Sequence, residues 1–109
     1  MAKIQPKERF WFIDLGQKEA RIRCSFQRLG QQIERFVVQL EIDLQGSWQA
    51  VARYDNAHGF CHRDLLRSDG SQEKTRIYWG DNNATFTLAL EDFKGNWQPY
   101  RARYQGEKT

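Results

Sequence analysis

The segment Phe36–Tyr54, FVVQLEIDLQGSWQAVARY, decides the fold. On its first arm Phe36, Val38, Leu40, Ile42 and Leu44 alternate with Val37, Gln39, Glu41 and Asp43. On its second arm Trp48, Ala50, Ala52 and Tyr54 alternate with Gln49, Val51 and Arg53. Successive side chains of a strand point to opposite faces, so this period of two predicts two strands with one apolar face each. Pairing Leu44 with Trp48, Ile42 with Ala50, Leu40 with Ala52 and Val38 with Tyr54 puts all eight on one face. A one-residue slip would destroy that arrangement. The register predicts a three-residue loop, Gln45-Gly46-Ser47, rather than a two-residue turn.

The same reading extends upstream. Residues 9–15, RFWFIDL, are aromatic and β-prone, and Gly16 closes them. Ala20, Ile22, Cys24 and Phe26 then alternate with Arg21, Arg23, Ser25 and Gln27, with a turn at Leu29-Gly30-Gln31. Downstream, Ser68-Asp69-Gly70-Ser71 separates FCHRDLL from KTRIYWG, which predicts another hairpin.

From Asn83 the period changes. Phe86, Leu90, Phe93, Trp97, Tyr100 and Tyr104 follow the three-and-four spacing of one helical face. Asp81, Asn82 and Asn83 each offer a side-chain oxygen to cap its start. Pro99 lacks the N–H that would bond the Gly95 carbonyl, so a kink or break is expected there. The expected architecture is α+β: an antiparallel β-meander of about six strands, roughly residues 9–79, with a C-terminal helix, roughly 83–104, packed on one face. Phe26, Leu40, Trp48, Phe86, Leu90, Phe93 and Trp97 should share the core, and residues 106–109 should fray.

Composition sets the outer bounds. A chain of 109 residues allows one domain and excludes a two-domain enzyme. Seventeen basic residues stand against 14 acidic ones, a formal net charge of +3, far less than in a dedicated nucleic-acid tail. Cys24 and Cys61 fit no metal-binding spacing, and no stretch reads as a signal peptide or a membrane span, so the expectation is a cytoplasmic protein with reduced thiols and no membrane contact. Neither dinucleotide- nor phosphate-loop motifs are present, nor those of zinc proteases or serine hydrolases. No cofactor and no metal is implied.

Chemistry is concentrated in one segment, Arg53–Asp64, RYDNAHGFCHRD, which joins two expected strands. It holds both histidines. Imidazole titrates near neutrality, so His58 and His62 are the acid–base candidates. Arg63 and Tyr54 join them as catalytic candidates. Arg53, with Arg21 and Arg23 on a basic strand face, would hold phosphate or RNA. Such a set suffices for metal-free RNA cleavage, in which a base activates the ribose 2′-OH and an acid protonates the leaving oxygen. The competing structural reading is a turn: Asx side chains bond nearby backbone and glycine accepts positive φ, so Asp55, Asn56 and Gly59 would shape the loop.

The stretch WQAVARYDNAHGFCHRDLL (48–66), followed by LEDFKGNWQPYRARY (90–104), is similar to small uncharacterised prokaryotic proteins. More distantly it resembles the TumE-like toxins of toxin–antitoxin systems. On that resemblance Tyr54, Asp55, Asn56, Gly59, His62 and Arg63 carry the motif, although Phe60-Cys61 stands where the toxins are richer in His. The resemblance implies an antitoxin protein as partner. Two functional expectations follow: a toxin-like component acting on RNA, or a non-enzymatic protein-interaction domain in which the segment is only a turn. Either could be a monomer or, through pairing of an edge strand such as residues 9–15, a homodimer.

Overall fold

A computed structural model describes residues 5–106. Six strands form one antiparallel sheet in sequence order: β1 (Lys7–Leu15), β2 (Ala20–Leu29), β3 (Gln32–Leu44), β4 (Ser47–Asp55), β5 (His62–Leu66) and β6 (Gln72–Arg76). One helix, α1 (Asn82–Tyr104), follows and packs chiefly on β3, with further contact to β4 and β2. The α+β meander expected from periodicity is therefore the observed architecture. The final strand stops at Arg76; past it a single backbone bond from Ile77 to the Cys61 carbonyl persists, and Tyr78 and Trp79 lie outside the sheet. Of the tail expected to fray, residues 107–109 lie outside the described residues.

The face under α1 is the apolar one. Ala20, Ile22 and Cys24 of β2, Phe36, Val38, Leu40 and Ile42 of β3, and Ala52 and Tyr54 of β4 are buried there against Phe86, Ala89, Phe93 and Trp97. Phe26 and Leu90 pack at its margin. Trp11, Phe26 and Phe36 each meet Phe86 edge-to-face, with ring centroids 5.6 to 6.0 Å apart.

The β3–β4 register corrects half of the expectation. Val38 faces Tyr54 and Leu40 faces Ala52, as the pattern requires. Nearer the turn, however, Glu41 faces Ala50 and Asp43 faces Trp48, so Leu44 does not pair with Trp48 nor Ile42 with Ala50. Gln45 (φ 55°) and Gly46 (φ 87°) form a two-residue turn of the primed kind, whose twist matches that of the strands. A β-bulge at Val51 absorbs the odd residue, which leaves Val51 and Ala52 both buried in succession. The correction moves Trp48 out of the core: it lies on the opposite face, 36% exposed.

The helix start is tied twice. Asp81 is the N-cap, its Oδ1 accepting from Ala84 N at 2.8 Å. Asn82 and Asn83 do not cap but clamp the β2–β3 end of the sheet. Asn83 Oδ1 accepts from Ile33 N, and Asn82 Nδ2 donates to Ile33 O, both at 2.9 Å. At Asn96 the backbone leaves helical geometry (φ −129°, ψ 17°), three residues before Pro99, so the expected kink is present. Just past it, Trp97 lies against Gly16 in the β1–β2 turn. A Cβ built on that glycine, whose φ is +62°, would sit 3.0 Å from the indole.

Candidate functional site

Directly opposed strand residues share a face, and this divides the residues expected to act together. Tyr54 faces Arg63 on the helix-covered side, whereas Asp55 faces His62 and Arg53 faces Asp64 on the side that no helix covers. His58 is exposed in the β4–β5 connection. His62 and Arg63 therefore point away from one another, and the four catalytic candidates do not converge.

The connection itself is held by its own side chains. Asp55 Oδ1 accepts from Ala57 N at 3.1 Å, and Gly59, at φ 92°, donates its N–H to the Asn56 carbonyl. Asn56 is buried and serves β3: its Oδ1 accepts from Phe36 N at 2.9 Å and its Nδ2 donates to Glu34 O at 3.0 Å. Glu34 is the residue that the β2–β3 bulge leaves without a partner across the ladder. A side-chain amide thus prolongs β4 by one backbone-like pair. Both Asp55 oxygens are engaged, since Oδ2 pairs with Arg53 Nε at 3.4 Å. Among the described residues no carboxylate pairs with His62, whose ring lies against Phe60 with centroids 4.5 Å apart.

On the open face, arginines lie on aromatic rings. Arg21 is sandwiched between Phe12 and Trp48, with its Cζ 4.2 Å from each centroid, and its Nε bonds Glu41 Oε1 at 2.7 Å. Arg23 covers Phe10 at 5.0 Å. Arg76 covers Phe60 at 3.8 Å and Tyr78 at 4.9 Å. Arg53 is committed to Asp55 and to Asp64 (3.3 Å), and Lys74 also reaches Asp64. A groove of about 640 Å³ opens at one end, lined in part by Phe10, Ser25, Val37 and Arg35.

On the other side, α1 crosses β2–β4 and leaves a cleft of about 640 Å³ between β5 and the second half of the helix. Asp92 organises it. Tyr54 Oη donates to Asp92 Oδ2 at 2.6 Å, Tyr100 Oη donates to the same oxygen, and Asn96 Nδ2 donates to Oδ1 at 2.8 Å. Burial and then the bond to Asp92 push the Tyr54 phenol well above its ordinary pKa, and Tyr100 moves the same way for the same two reasons. Arg63 Nη1 donates to Tyr100 Oη at 3.4 Å. Arg67 and Arg103 line the same cleft.

Of the residues singled out from sequence, then, Tyr54 and Arg63 meet at the cleft, while His62, Arg53, Arg21 and Arg23 share the open face. Asp92, Asn96, Arg67 and Arg103 escaped sequence reading. A signal for the helical members is present: positions 92, 96 and 103 are polar and flank the apolar stripe at helical spacing, on the side of Tyr100. Among the described residues no group of three His, Cys, Asp or Glu side chains is placed to hold a metal, and no helix is long and apolar enough to cross a membrane.

The model of a family described as a domain of unknown function, DUF7718, matches residues 2–109. No curated protein and no solved structure matches the chain.

Proposed function

We propose that the chain, which belongs to the DUF7718 family, is a non-enzymatic protein-interaction domain whose contact surface is the open face of the sheet. One observation carries this reading: Phe10, Phe12, Trp48, Phe60 and Tyr78 are all exposed, and all carry a stacked arginine on or beside a face with no helix over it. Aromatic residues and Arg are the types that protein interfaces concentrate, because they bury large area with few torsions to freeze. Stacking holds the guanidiniums in place in advance, which lowers the ordering cost of contact.

The charges on this face favour protein over polyanion. Arg21, Arg53 and Lys74 are already paired with Glu41, Asp55 and Asp64, so the surface is a mosaic of both signs. The resemblance to TumE-like toxins gives the partner its concrete form, an antitoxin protein. Divergence of His62 from Arg63, and the structural duties of Asp55 and Asn56, speak against a cleavage site in that segment.

A photo-crosslinking residue at Phe10 or Arg23 of the full chain, compared with one at Leu88 on the exposed side of α1, tests the reading in the native host. Crosslinks to one protein from both sheet positions and none from Leu88 are expected. Equal yields from all three, or none from the sheet, would overturn it.

A second reading keeps RNA as the ligand of this same face. It is favoured by Arg23 and Arg76, which among the described residues have no carboxylate partner and stand beside Phe10 and Tyr78, 54% and 74% exposed. Binding of single-stranded RNA that weakens steeply with salt and is lost in Arg23→Gln/Arg76→Gln would select it.

A further inference from the structure

The geometry points to a second site, independent of the sheet face: the cleft between β5 and the second half of α1 binds small organic phosphates, with Arg63 holding the phosphate. Arg63 has no carboxylate partner among the described residues. Its guanidinium meets only phenols, Nη1 donating to Tyr100 Oη at 3.4 Å with the Tyr54 hydroxyl beside it, and its Nε is buried without a hydrogen-bond partner. Arg21, Arg53 and Arg101, by contrast, each meet an acid. A guanidinium drawn into the fold without a counter-charge is costly, and an anion in the cleft offsets that cost.

Asp92 lines the same cleft, yet its oxygens are taken up by Tyr54, Tyr100 and Asn96. It positions the tyrosines rather than neutralising Arg63. Arg67 and Arg103 add two further guanidiniums at the rim, and both reach the single carboxylate of Glu73, at 3.3 and 3.8 Å. Three arginines thus stand against two acids. A phosphate monoester, with three terminal oxygens and nearly two charges, matches several guanidinium forks better than a carboxylate does. Leu65, Pro99 and Ala102 supply an apolar wall for the organic body, and a cleft of about 640 Å³ falls in the range of small-molecule sites.

The test is titration of the isotope-labelled full chain with phenyl phosphate, benzoate and inorganic phosphate, followed by NMR. Phenyl phosphate should shift the Arg63 side-chain N–H and the Leu65 and Ala102 amides, and bind more tightly than either other probe. Arg63→Gln should weaken it at least tenfold, and Arg103→Gln, at an exposed rim position, several-fold in a fold verified by circular dichroism. Leu88→Ala should leave it unchanged. No shifts in the cleft, or shifts that survive Arg103→Gln undiminished, would overturn the proposal. Benzoate binding as tightly as phenyl phosphate would overturn the phosphate assignment.

Discussion

The phenol of Tyr54, in the middle of the sheet, donates to Asp92 Oδ2 of the helix at 2.6 Å, joining residues 38 apart in sequence. Tyr54 is fully buried, with 0% exposure, so this bond lies inside the apolar layer between helix and sheet, away from the polar clamps at the helix start. Removing the hydroxyl in Tyr54→Phe should cost about 1.5–3 kcal/mol, the range for a hydrogen bond to a charged group. Asp92→Ala should cost more, because two phenols and the Asn96 amide lose their acceptor together. Thermal unfolding of both variants and the double variant checks this. Asp92→Ala as stable as Tyr54→Phe would mean that Tyr100 and Asn96 contribute nothing.

Alkaline stability should depend on the same residues. Tyr54 and Tyr100 are raised above their ordinary 10.0, by burial first and then by Asp92. The folded chain therefore keeps protons that the unfolded chain releases, and stability must fall as pH rises past 10 toward the folded values. Burial likewise pushes the Cys24 and Cys61 thiols from 9.0 to about 12, so the decline begins near pH 9. Urea unfolding at stepped pH should show a plateau below 9 and a fall above it. Tyr54→Phe should make that fall shallower beyond pH 10. A flat profile from pH 8 to 11 would contradict the assignment.

Two tryptophans separate the faces energetically. Trp97 is packed in the core and against Gly16, so Trp97→Ala should cost about 3–5 kcal/mol. Trp48 rests on Arg21 at the surface, so Trp48→Ala should cost about 1 kcal/mol or less. Comparable losses in chemical denaturation would place Trp48 back in the core and reject the bulged register.

Asn56→Ala tests whether the Tyr-Asp-Asn segment is architecture. The substitution leaves the Phe36 N–H and Glu34 C=O unpaired beside the bulge, at about 1–3 kcal/mol for each group that stays dry. His62→Ala should change stability by about 1 kcal/mol or less, since among the described residues its side chain has no hydrogen-bond partner. The reverse ranking by calorimetry would return the segment to its histidine.

Much of this was legible in the sequence, because alternation at Phe36–Leu44 and the three-and-four spacing at Phe86–Tyr104 are direct imprints of burial. Trp48 was misplaced for a physical reason. Alternation counts residues from the far end of the hairpin, and a bulge at Val51 inverts the count without altering composition. The cleft was half legible. Tyr54 and Arg63 both belong to the segment in which chemistry is concentrated, but Asp92, which takes the Tyr54 hydroxyl, and Asn96 beside it come from a helix whose rotation over the sheet is set by packing. Grouping His62 with Arg63 fails on strand geometry alone, because neighbours in a strand point to opposite faces where no bulge intervenes, and none does between these two.

Gly16 joins the first turn of the sheet to the second half of the helix. Its left-handed backbone disfavours other residues, and the space over it belongs to the indole of Trp97, one residue past the point where α1 bends. The β1–β2 turn thereby acts as a seat for the distal helix segment, the segment that carries Pro99, Tyr100 and Arg103 to the cleft. A bulkier residue at position 16 would tilt that segment like a lever and change the width of a cavity it never touches.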